Sequence, residues 1–170
     1  IADSSNSPFT ISPSFALLTR LILRDSGGDA DSLEFGTGEG ATDGIDDLFG
    51  EYELPPVPPV GVFDVRWRMT GTQGVKRDIR DTLGGREQPV IYTGQFQGGA
   101  GGYPFHLRWR GTELPAGTFT LRAGLSIMVN MKQEDSLTIT NPEVMTFQLV
   151  YELGDVVNST VESGWNIVSL

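Results

Sequence analysis

Val60-Gly-Val-Phe-Asp-Val-Arg-Trp-Arg-Met69 is the stretch on which the fold turns. Phe63, Val65, Trp67 and Met69 fall on one face, and Val62, Asp64, Arg66 and Arg68 on the other. Successive side chains of a strand point to opposite faces, so this two-residue period predicts a half-buried β-strand over Val60–Met69. Just before it runs Leu54-Pro-Pro-Val-Pro-Pro59, which favours polyproline II and is excluded from a central strand because proline donates no backbone hydrogen bond.

The same period recurs outward in both directions. In Ser14–Arg24, Phe15, Leu17, Thr19, Leu21 and Leu23 share one face. The other face holds Ala16, Leu18, Arg20, Ile22 and Arg24 and is also largely apolar, as for a strand inside a sandwich or under a partner. Asp31–Gly36 predicts a short strand with Leu33 and Phe35 inward. Gln88–Gln97 puts Val90, Tyr92 and Phe96 on one face, and Tyr103–Arg110 puts Phe105, Leu107 and Trp109 inward. Further strands are expected at Thr118–Arg122, Leu125–Lys132, Ser136–Thr140 and Met145–Leu153. With Gly38–Pro59 as a long structured loop and no amphipathic helix, the pattern predicts an all-β antiparallel sandwich, jelly-roll or Ig-like. Residues 1–13 read as an extended arm, 14–153 as the sandwich domain, and 154–170 as a polar tether plus a terminal strand.

That last strand is the unusual part. Trp165, Ile167 and Ser169 alternate with Asn166, Val168 and Leu170 beyond the polar run Gly154–Glu162. An apolar strand on a tether needs a sheet edge, in its own domain or in a neighbouring copy. The arm carries a smaller apolar patch at Phe9 and Ile11.

Composition narrows the function classes. The 170 residues suit one domain with a sizeable core. The absence of cysteine removes disulfides, thiolate metal sites and thiol catalysis. No stretch has the length of a membrane span. A net charge of −10 argues against nucleic acid as a partner, because phosphate binding needs clustered cations. The charge is segregated. Asp25–Glu53 holds acidic residues and no basic one, whereas Arg66, Arg68, Lys76, Arg77, Arg80 and Arg86 gather in the next segment. Such runs read either as two solvated loops or as unlike patches suited to head-to-tail contact.

Asp43, Asp46 and Asp47 cluster on one loop, with Glu51 and Glu53 following. Calcium takes six to eight oxygen ligands, so such a loop is a candidate Ca2+ site; capping of turns by the same side chains is the competing reading. Trp67, Trp109 and Trp165 are candidates for a sugar-stacking platform, against burial of the first two in the core. His106 stands on the polar side of its strand with no nucleophile pattern around it. Nucleophile-elbow, phosphate-loop and zinc-helix motifs are absent, and the expectation is a protein that is not an enzyme. Asn158-Ser-Thr160 fits an N-glycosylation acceptor. Ser32, Thr82 and Ser136 each sit in an Asp-Ser/Thr-Leu tripeptide that resembles the short O-glycosylation signal of Bacteroidetes-type surface proteins.

The acidic loop Phe35–Asp47, the run Glu53–Val65 with its prolines, Lys76–Arg80, Gly101–Phe105 and Leu107–Trp109 resemble secreted β-sandwich modules of Bacteroidetes, Chlorobi and Ignavibacteria-type bacteria. The resemblance covers about Phe15 to Leu153. It implies an exported, cell-surface protein associated with the type IX route, and it brings no activity with it. The functional expectation is an extracellular structural subunit that joins identical subunits into a filament by head-to-tail strand complementation, with covalent glycans as further partners. The alternative is a carbohydrate-binding or accessory module of a larger secreted protein.

Overall fold

The computed structural model describes residues 14–81 and 89–153. They form an all-β fold of two five-stranded sheets. One sheet runs β4 (Arg77–Arg80), β2 (Ala30–Gly38), β1 (Phe15–Arg24), β6 (Phe105–Arg108), β9 (Ser136–Ile139). The other runs β3 (Asp64–Trp67), β5 (Val90–Gln97), β10 (Thr146–Glu152), β7 (Thr118–Ala123), β8 (Ile127–Asn130). Every pairing is antiparallel except β2 with β4.

The alternation seen in the sequence is what closes the sandwich. Leu21, Leu23, Leu33, Phe35, Phe105 and Leu107 bury completely against Val65, Trp67, Tyr92, Leu121 and Leu149. The buried Trp67 N–H and Tyr92 O–H need hydrogen-bond acceptors, and they find them in the opposite sheet. Tyr92 Oη donates to the carbonyl of Gly36 at 2.7 Å, and Trp67 Nε1 donates to the carbonyl of Glu34 at 2.7 Å. These bonds tie β5 and β3 to β2 through the middle of the core. At Gly94 in β5 the Phe147 ring lies where a side chain would stand, with Cζ 2.1 Å from an ideal Cβ.

Three elements depart from the sequence reading. Val60–Met69 is not one long strand. Gln97 Nε2 donates to the carbonyls of Pro59 and Val62, Gly61 turns at φ +91°, and pairing with β5 begins only at Asp64. Arg66, placed outward by the alternation, is buried. Its guanidinium makes a two-pronged ion pair with Asp64 and donates from Nη1 to the carbonyls of Pro55 and Gln73. The loop carrying the prolines has therefore folded over the outer face of β3. The third departure is β4, a strand with one apolar residue, Ile79, among charges. Its parallel partner β2 supplies the reason, because Arg77 pairs with Glu34 directly across the register.

The glycine-rich run Gly98–Gly102 is docked on the turn after β1. Gly99 N–H donates to Asp25 Oδ2, Ser26 N–H to the carbonyl of Gly102, and Ser26 Oγ to the carbonyl of Gly101. A Cβ on Gly101 would stand 2.0 Å from the nitrogen of Gly27, so the close approach requires glycine there.

Candidate functional site

Two regions concentrate unusual chemistry, and a third removes an expectation. The first is the acidic loop. Asp46 accepts from the Thr42 backbone and hydroxyl, and Asp43 pairs with Arg80 at 3.1 Å. Asp47 opens a short 3-10 turn, Asp47–Phe49, whose Phe49 is buried. Among the described residues no group of three or more His, Asp or Glu side chains stands close enough together to hold a metal ion. The Asp46 carboxylate thus turns to backbone and hydroxyl partners and that of Asp43 to a guanidinium.

Glu51, which follows the aspartate cluster in the sequence, is the carboxylate that anchors the loop. It is fully buried, and its two oxygens accept from the backbone N–H groups of Asp46 and Ile79. It therefore pins the loop to β4. Burial pushes its pKa up from the ordinary value of 4.5 to about 7; the two N–H donors oppose that, and the nearby charges of Asp78 and Asp46 add to it. Asp78 is buried beside it, and burial raises its pKa too, against the opposing pull of the Arg80 guanidinium.

The segregated charges meet within the chain. Lys76 pairs with Asp31, Arg77 with Glu34 and Arg80 with Asp43 and Asp78. Parallel addition of β4 to β2 lays the basic segment along the acidic one. Lys76, Arg77 and Arg80 are thereby engaged within the chain instead of forming a patch for head-to-tail contact.

The tryptophans are the third region. Trp67 is fully buried, and Trp109 is nearly so with Nε1 shared between the carbonyls of Met131 and Glu134. Neither offers a face to a sugar ring. Trp165 lies outside the described residues, as do the rest of the terminal strand, Asn166, Ile167, Val168, Ser169 and Leu170, and Phe9, Ile11, Asn158 and Thr82. Of the two other glycosylation candidates, Ser136 is exposed on β9 and Ser32 half-buried on β2. His106 is exposed on β6 with its Nδ1 3.1 Å from Thr138 Oγ1.

The second region of interest is the edge of β1. Along β2 the strand is paired over its whole length, from Phe15 to Arg24, with a register irregularity at Phe15/Leu17. On its other side it meets β6 only at Ile22, Leu23 and Arg24. Beyond Arg108 the chain swings away. Trp109 N–H donates to the carbonyl of Asp135, and Gly111–Glu113 forms a 3-10 turn. The sheet thus splits into a wedge. Over Phe15–Leu21 no strand among the described residues covers that edge of β1.

The wedge is a groove of about 660 Å³, walled by Leu18, Thr19, Arg20 and Ile22 on one side and Arg108, Trp109 and Arg110 on the other. Leu18 and Ile22, on the outer face of the sheet, are 42% and 45% exposed. Thr19 points inward and is buried, yet its Oγ1 has no hydrogen-bond partner. A buried hydroxyl left unpaired costs about 1–3 kcal/mol, and Thr19 is the one such side chain among the described residues. Two ion pairs flank the groove, Arg20 with Glu34 and Arg110 with Glu113.

No protein-family model, curated protein or solved structure matches this chain. The class is therefore set by the fold itself, an all-β sandwich of two mostly antiparallel sheets. No helix among the described residues is long and apolar enough to cross a membrane.

Proposed function

We propose that this chain is an extracellular structural subunit that joins identical copies head to tail by strand complementation. The observation that carries the reading is the edge of β1 over Phe15–Leu21, which no strand among the described residues covers, in the interior of a sheet and not at its rim. Edge backbone is a template for pairing with another chain. A peptide that adds itself as a strand gains main-chain hydrogen bonds, and its alternate side chains supply specificity. The contact is heterologous, since a groove on one copy meets a different segment of the next, and a heterologous contact that does not close on itself propagates as a filament. Location outside the cell is what the resemblance to secreted surface modules implies; the Asp-Ser/Thr-Leu tripeptides support glycans at Ser32, Thr82 and Ser136, and the Asn-Ser-Thr tripeptide one at Asn158.

The direct test is light scattering and negative-stain microscopy of the full chain across a wide concentration range. Fibres whose abundance rises with concentration are expected. Folded monomers at every concentration would overturn the reading.

A further inference from the structure

We propose that the strand seated in the β1 groove is Trp165–Leu170 of a neighbouring copy, with Trp165, Ile167 and Ser169 facing inward and Ser169 bonding Thr19. This rests on the reading of the chain as a self-assembling subunit and names the donor and its orientation.

Two segments of the chain outside the described residues have apolar alternation, the N-terminal arm and the terminal strand. Proline discriminates between them. Pro8 and Pro13 bracket the arm's apolar residues, and neither can donate to a ladder, so the arm offers only Phe9–Ser12 as an uninterrupted pairing run. Trp165–Leu170 is free of both proline and glycine, and its length matches the open stretch of β1, Phe15–Leu21.

Side-chain chemistry then sets the face. The inward wall of the groove has one unmet need, the Thr19 hydroxyl. A serine hydroxyl is satisfied by one or two partners, and Ser–Thr pairs across neighbouring strands bond well. Inward placement of the opposite face would bury the Asn166 amide, which carries two donors and an acceptor and would find a single waiting partner. With Ser169 inward, Val168 and Leu170 lie on the outer face beside the exposed Leu18 and Ile22, and cover them. The terminal strand is apolar on both faces, and so are the places on both faces of the sheet that it would touch.

The test exploits a chain without cysteine, in which any disulfide must be an introduced one. Full-length Thr19→Cys and Ser169→Cys proteins are mixed, allowed to assemble and oxidised. A disulfide-linked dimer on a non-reducing gel is expected, and its loss is expected when Val168→Cys, on the other face, replaces Ser169→Cys. Fibres that form without the Thr19–Ser169 cross-link would overturn the donor assignment and leave the fibre reading standing. Cross-linking confined to one chain carrying both cysteines, in a sample without fibres, would overturn both. Should Thr19→Cys fail to fold, a synthetic peptide spanning Ser163–Leu170 gives the second measurement. In excess over wild-type protein it should occupy the groove and shorten the fibres, and unchanged fibre length would overturn the assignment.

Discussion

Glu51 makes stability depend on pH in a direction opposite to that of most carboxylates. Its folded-state pKa of about 7 lies above its ordinary value of 4.5, because the ionised form is buried. The folded state therefore holds the proton more tightly than the unfolded chain. The contribution is fully present below the unfolded value and is lost as pH rises through the folded one. Each pH unit between the two values is worth about 1.4 kcal/mol, so the loss between pH 4.5 and 8 reaches on the order of 3 kcal/mol. The assay is urea unfolding at intervals from pH 5 to 8, followed by fluorescence of the buried Trp67 and Trp109. Glu51→Gln is the reference, since its difference from wild type cancels the titration of distant groups. It replaces one acceptor by an amide that points a donor at a backbone N–H, so the variant should be less stable than wild type at pH 5 by about 1–3 kcal/mol. The wild-type advantage should then shrink as pH rises. An advantage that holds steady or grows from pH 5 to 8 would refute the reasoning.

Three other perturbations have expected outcomes. Gly94→Ala drives a methyl into the Phe147 ring and should cost about 1–3 kcal/mol in urea unfolding, with part of the loss recovered when Phe147→Leu is added. Arg80→Met leaves the buried carboxylate of Asp78 without its guanidinium and should destabilise by about 3–5 kcal/mol at neutral pH, less at low pH where Asp78 takes a proton. Asp25→Ala strips the acceptors from the N–H groups of Asp29 and Gly99, so it should lower the urea midpoint and speed amide exchange in the Gly98–Gly102 turn.

Much of the core was legible in the sequence because burial follows period. Leu33, Phe35, Val65, Trp67, Tyr92, Phe96, Phe105 and Leu107 all lie where alternation put them. What escaped was set by neighbours that local pattern does not contain. Arg77–Arg80 forms a strand because Glu34 and Asp43 neutralise its charges from distant positions. Arg66 is buried because the proline-bearing loop folds back over it and supplies carbonyl acceptors. The acidic loop drew attention to Asp43, Asp46 and Asp47, yet the buried carboxylate is Glu51. Its one sequence signal is its place two residues after buried Phe49, where the loop turns inward. The apolar outer face of β1 was visible as Leu18 and Ile22, whereas the wedge beside it depends on where the chain leaves the sheet after Arg108.

Hydrogen exchange at the backbone of β1 tests the strand-complementation account most directly. Alternate residues of a strand direct their N–H groups to opposite sides, so about half of the amides in residues 15–21 face β2 and the rest face the groove. In the assembled full-length protein both sets should be protected. In a variant lacking residues 164–170 the groove-facing set should exchange at the rate of open backbone while the set facing β2 stays slow. Equal exchange of the groove-facing amides in the two proteins would contradict the account.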